Sequence, residues 1–218
     1  MHRVRAGQDH PPLRLTRLRV DLHLHSEYSP DSRTSLPDLI RRAREVGLDR
    51  IALTDHNTAE GALRLSQLEP ELCIVGEEVA TSEGEILAIF ITASIPRGLH
   101  PEEVCDRIHA MGGLAFAAHP FDRRRAHFTS ERLAQLSSRL DAIEVYNQWC
   151  RPQDNQLAEE ARSSLALAAT TGSDAHAPAE LGHSWMELPG YGDVPAFLEG
   201  LREARHVVTK SSGRSARA

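Results

Sequence analysis

His23 and His25, in VDLHLHS at residues 20–26, stand one residue apart at the end of a short apolar run. Side chains alternate along a strand, so the two imidazoles project from one face and Leu22 and Leu24 from the other. Two neutral imidazoles so placed bind one metal ion without distorting the backbone. The structural alternative is a pair of packed, hydrogen-bonded histidines. The rest of the chain decides between them. IALTDHN ends in Asp55 and His56, CIVGEEVAT carries Glu77 and Glu78, and LAFAAHP delivers His119. AIEVYN contains Glu144 and ends in Asn147, LAATTGSDAH ends in Asp174 and His176, and the loop EYSPDS adds Asp31. One such ending is as readily a cap or a solvated residue; a whole series of them is poorly explained by chance.

The donor types constrain the chemistry. Imidazole and carboxylate without thiolate suit zinc, manganese or iron. Cys73, Cys105 and Cys150 are far apart and form no Cys-x-x-Cys pair, so neither a disulfide framework nor a thiolate zinc site is indicated. The donors exceed the needs of a single ion, and two or three divalent ions sharing a bridging carboxylate and a bridging hydroxide is the economical arrangement. Just after His119 comes FDRRRAH, with Arg123, Arg124, Arg125 and His127. Arginine holds phosphate oxygens in a bidentate fork. Three adjacent arginines cannot all face one pocket, so one or two are expected there and the rest in solvent. Arg124 and His127, with Asp31 and His56, are the candidate catalytic groups.

The elements that must position these residues alternate along the chain. Strands are expected at 19–24, 50–54, 72–80, 85–92, 114–118, 141–146, 166–171 and 184–188. Helices are expected at 36–47, 58–67, 100–111, 130–138, 153–164 and 193–205. The first helix follows Ser35, has Pro37 in its first turn and stops at Gly47, which is good capping chemistry. The turn Ser82-Glu83-Gly84 makes a hairpin of 72–92. Elsewhere the β-α-β-α order favours parallel strands with helices outside. The expectation is an α/β fold: a single-domain β/α barrel over 17–207, with flexible tails at 1–16 and 208–218, and with its chemistry at the C-terminal strand ends.

With 218 residues, 40% hydrophobic and 26% charged, the composition is that of an ordinary soluble globular protein. No stretch approaches the ~20 apolar residues of a membrane span, and a reducing cytoplasm is the simplest location. The net charge of −6 argues against long nucleic acid as a partner. It does not exclude an acidic substrate, because bound divalent cations would offset much of a carboxylate-rich site. The only lysine is Lys210.

In order, DLHLHS, TDHN, the G-x-E of VGEEV, AHP and GSDAH resemble the PHP (polymerase and histidinol phosphatase) family, from about residue 19 to about 188. The spacing is most similar to its short, stand-alone phosphoesterases. The resemblance implies a distorted, TIM-like (β/α)7 barrel, up to three metal ions, and phosphoester hydrolysis. It also implies that His23, His25, Glu78 and Asp174 bind one ion. Glu78 bridges to a second ion that takes His119, while Asp31, His56 and His176 hold a third. The second ion is then short of protein ligands. His100 and His109 lie in the right interval but read better as helix residues, and Glu144 or Asn147 could complete it. Asp55, with Glu144 and Asn147, is expected behind the ligands. The expected substrate is a small phosphomonoester, or a nucleotide or oligonucleotide end. Two other readings stand beside it. One is an amidohydrolase-like C–N hydrolase, disfavoured because many of those bridge their metals with a carbamylated lysine. The other is a non-catalytic metal-binding scaffold, disfavoured because most ligand positions are filled.

Overall fold

The computed structural model describes residues 17–209. The chain runs β1 (Arg17–Leu24), α1 (Leu36–Val46), β2 (Arg50–Leu53), α2 (Glu60–Leu68), β3 (Cys73–Ala80) and β4 (Glu85–Ile89). It continues α3 (Pro101–Ala110), β5 (Leu114–Ala117), α4 (Ser130–Leu136), β6 (Ala142–Asn147), α5 (Pro152–Leu165) and β7 (Ala168–Gly172). It ends with β8 (Ser184–Pro189), α6 (Val194–Arg202) and β9 (Arg205–Val208). The capping residues act as their types require: Ser35 accepts from Asp38 N, and Gly47, at φ 72°, ends α1.

All the strands join in one sheet, ordered β7-β6-β5-β4-β3-β2-β1-β8-β9. The sheet curls until the end of β7 reaches the end of β1. There Asp174 N donates to His23 O at 2.7 Å and His25 N to Ala175 O at 2.9 Å. The start of β1 pairs instead with β8, antiparallel, from Arg17 to Val20. The first seven strands thus make a nearly closed barrel, and β8 and β9 extend its open seam. Among the described residues no helix is long and apolar enough to cross a membrane.

Three expectations are corrected. Residues 205–208 form β9 on β8, and Thr209 N donates to His183 O, so 208 and 209 are not part of a tail. The remaining tail residues, 1–16 and 210–218, lie outside the described residues. β4 and β5 are antiparallel although α3 connects them, because the hairpin has already reversed β4. Finally, a register shift between Asp21 and Leu24 breaks the alternation of β1. Leu22 packs with Val20, Leu87, Phe116 and Phe197 in one core cluster, whereas Leu24 packs with Leu36, Leu39 and Ile51 in another. The two leucines therefore do not share a face, and the bulge aims both histidines into the mouth of the barrel.

Candidate metal centre

The ends of β1, β5 and β7 and the middle of β3 bring five side chains together: His23, His25, Glu78, His119 and Asp174, all buried. His119 Nε2 lies 2.8 Å from Glu78 Oε1, His23 Nε2 lies 3.3 Å from Glu78 Oε2, and His25 Nε2 lies 3.0 Å from Asp174 Oδ1. Such packing needs room. A side chain at Gly172 would meet Glu144 Oε1 and His23 Cβ at 2.4 Å. His119 and Asp174 adopt φ of 24° and 50°, a region that non-glycine residues enter only when the surroundings force it. The backbone bond from Asp174 to His23 and one from His119 N to Glu144 Oε2 at 2.8 Å provide that force.

The donors fit metal ions by the way each imidazole is held. His25 Nδ1–H donates to Ser29 Oγ at 3.1 Å, and that hydroxyl in turn donates to Asp55 Oδ1. His25 Nε2 then presents a bare lone pair to the Asp174 carboxylate, an arrangement that a cation between the two resolves. His23 repeats the pattern, with Nδ1–H on Glu144 Oε1 at 3.0 Å and Nε2 left without a hydrogen-bond partner. Glu78 Oε2 and His119 Nδ1 are also buried without one. At the rim, His176 Nδ1–H donates to Asp174 O at 2.8 Å, and its Nε2 faces Asp31 Oδ2 at 3.1 Å. His56 joins the inner and outer sets, 2.9 Å from Glu78 Oε2 and 3.4 Å from Asp31 Oδ2. The sets His23–His25–Asp174, His23–Glu78–His119 and His25–His56–His176 each bring three ligand atoms within 4.8 Å of one another.

Protons and one arginine offset the carboxylate charge within the cluster. Burial opposes ionisation of Glu78 and Asp174, but His23, His119 and His56 together outweigh it at Glu78, as His23, Arg125 and His25 do at Asp174, and both carboxyls sit well below their usual range. His23 is correspondingly raised against its own burial by Glu78, Glu144 and Asp174. Asp31 and Glu78 raise His56 to about 10. Burial keeps His25 at about 4 and therefore neutral. The imidazoles of His176 and His56 beside Asp31 hold its carboxyl low.

Of the arginines, Arg125 enters the site: Nη2 is 2.8 Å from Asp174 Oδ2 and Nη1 is 3.1 Å from His119 Nε2. Arg124 lines the cavity above, but its Nε and Nη2 are forked onto Asp122, and Nη2 also donates to Trp149 O. Arg123 and His127 are not brought to the site. They line a separate hollow with Phe121 and Leu157, whereas the turn closed by Arg125 N on Asp122 O at 3.0 Å leaves the adjacent Arg124 and Arg125 on the cavity side. Asn147 Nδ2 donates to Glu144 Oε2 and Asp174 Oδ2, both at 3.2 Å. Glu144 is thus occupied behind His23 and His119, and Asp55 reaches His25 only through Ser29.

Sequence reasoning missed several participants. Asp21 Oδ1 accepts from Ser173 N at 3.0 Å and ties β1 to β7, while burial raises its carboxyl to about 7. An aspartate two residues before the histidine pair was the available signal. Asp122, buried between two arginines, was visible as the acidic residue opening the RRR run. Glu85 was missed because β4 presents its first residue, not its last, to the mouth. A cavity of about 490 Å³ opens over the cluster, lined by Asp31, His56, Glu85, Arg125, Trp149 and His176 among others.

Comparison with known proteins agrees with this geometry. The PHP domain model matches residues 21–179. An uncharacterized protein of Methanocaldococcus jannaschii is 35% identical over 147 residues, covering 62% of this chain and 84% of the relative. A two-domain Bacteroides vulgatus protein containing a PHP-like metal-dependent phosphoesterase superposes with TM-score 0.74 at 19% identity, over 96% of this chain and 70% of that one. The lesion-specific endonuclease Q of Pyrococcus furiosus does so with TM-score 0.63 at 16% identity, over 87% of this chain and 57% of its own. The chain belongs to the PHP domain family and has the fold of its PHP-like metal-dependent phosphoesterase neighbours.

Proposed function

We propose that the chain is a metal-dependent phosphoric ester hydrolase acting on a small phosphomonoester or on the terminal phosphodiester of a nucleotide or oligonucleotide. The observation that carries this reading is the set of imidazole nitrogens aimed at carboxylates, with the rings of His23, His25 and His176 held from behind, beneath a cavity that an arginine enters. His23, His25, Glu78 and Asp174 would hold one ion, Glu78 and His119 a second, and Asp31, His56 and His176 a third. When bound, divalent ions lower the pKa of coordinated water and offset charge on phosphoryl oxygens.

The chain's own residues do the rest. Glu144, Ser29 and the Asp174 carbonyl fix the tautomers of His23, His25 and His176, so that each presents its free nitrogen inward. Arg125 reaches the cavity and the cluster together and is the arginine we assign to a phosphate oxygen; Asp122, 3.5 Å from its Nε, steadies it. Arg124, already forked on the same carboxylate, holds the loop. Asp31 is half-exposed and held ionised by its histidines, so it is His56, beside it at the rim and raised to about 10, that can pass a proton to a leaving oxygen where the third ion is absent. Trp149 Nε1 donates to Asp174 O, which fixes the indole as a wall of the cavity. A volume near 490 Å³ suits a ligand of nucleotide size.

The test is phosphate release from nucleoside monophosphates, sugar phosphates and 5′-phosphorylated short oligonucleotides, with manganese, zinc or iron supplied. Turnover that EDTA abolishes and Arg125→Ala weakens through KM supports the reading. Absence of turnover with every metal and substrate class would refute it.

A further inference from the structure

We propose that Glu85 is a metal ligand, completing the ion shared by Glu78 and faced by His119 and biasing that position toward manganese over zinc. The proposal rests on the multi-ion reading above and supplies the ligand which that reading lacks. His100 and His109, the histidines in the expected interval, are elsewhere: His100 caps α3 beside Ser82, and His109 Nε2 pairs with Asp141 at 2.9 Å. Glu144 and Asn147 are occupied behind His23 and Asp174.

Topology brings Glu85 to the place. The β3–β4 register sets Glu78 opposite Leu87 and Ala80 opposite Glu85, so Glu85 lies on the same face as Glu78 and one step nearer the mouth. Its backbone is locked there, because Ala118 N donates to Glu85 O at 3.1 Å, immediately before His119. The preceding Gly84 lies against the Phe128 ring, where a Cβ would come within 2.5 Å, so the turn packs closely there.

The side chain behaves as an unfilled ligand. Glu85 Oε2 is buried without a hydrogen-bond partner and lies 3.7 Å from His119 Nε2. His56, Glu78 and Glu85 offer ligand atoms all within 4.8 Å of one another. Glu78 Oε2, also buried, has no hydrogen-bond partner either. Two carboxylates so close, each with an orphaned oxygen, call for a cation between them. A carboxylate in place of an imidazole adds a negative charge and a hard oxygen donor, which favours manganese, whereas imidazole suits zinc.

The experiment titrates metal-free wild type, Glu85→Gln and Glu85→His with manganese and with zinc by calorimetry, and counts bound ions by elemental analysis after desalting. Far-UV circular dichroism verifies the fold of each. The expected result is that Glu85→Gln loses one manganese step or weakens it at least about tenfold. Glu85→His regains the step with zinc now preferred. Glu85→Gln with wild-type counts and affinities overturns the ligand assignment while leaving the multi-ion reading intact. Glu85→His with an unchanged metal preference overturns the proposed bias. Wild type that binds neither metal overturns the multi-ion reading and this proposal together.

Discussion

The two ends of the barrel are built on opposite principles. Away from the mouth, Val20, Leu22, Leu87, Ile89, Phe116 and Phe197 pack in one apolar cluster whose burial favours folding. At the mouth the same strands deliver histidines and carboxylates that are as deeply buried but incompletely paired, two of them at positive φ. β1 belongs to both ends, and its register shift is where one principle gives way to the other. Positive φ is not confined to the mouth, since Phe90 and Ala166 adopt it too, but at His119 and Asp174 it coincides with incompletely paired donors, which marks a candidate functional site.

Substitutions on either side separate the two regions. Phe116→Ala, at a fully buried ring, is expected to destabilise the chain by about 3–5 kcal/mol and to leave metal affinity unchanged wherever it remains folded. Urea unfolding together with metal titration checks this. Asp174→Asn should do the reverse, lowering hydrolysis by more than about 100-fold while shifting the metal-free melting temperature far less than Phe116→Ala does. A comparable loss of stability in both variants would erase the distinction between the ends. Glu144→Gln, behind His23, is expected to weaken metal binding by about 10–100-fold with ion count preserved at saturation, read by calorimetry.

Proton linkage sharpens the comparison further. His23 is raised well above the usual imidazole range and His56 to about 10, so both carry an extra proton near neutrality, whereas a ligating imidazole must be neutral. Metal binding therefore releases protons, and apparent affinity rises with pH below the raised values, by up to about tenfold per unit for each proton displaced. Calorimetry in two buffers of different ionisation enthalpy measures the number released; a value of zero would contradict these shifts. The smallest effect is expected at Arg123→Ala, within about 0.5 kcal/mol in stability and without change in KM, since its side chain lies outside the cavity.

Much of the site was legible because parallel strands carry function at their C-terminal ends, so histidines and carboxylates at those ends could be picked out from pattern alone. Glu85 escaped the same rule for a physical reason: a hairpin inverts β4, and its N-terminal residue takes the place a C-terminal one would have. β9 escaped because RHVV is a short edge strand, with three of its four residues exposed, that follows a helix without a strong stop. The choice among three consecutive arginines depended on the turn made by Asp122, whose hydrogen bonds no period predicts. The faces of Leu22 and Leu24 could not be read by alternation, since a bulge leaves no signature in residue type.

The measurement that bears most directly on the central claim is metal content of freshly purified chain, run beside phosphate release from the same sample. More than one divalent ion per chain, with turnover that chelation removes and metal restores, is the predicted result. A chain that retains no ion and releases no phosphate after manganese, zinc or iron is returned would contradict the account.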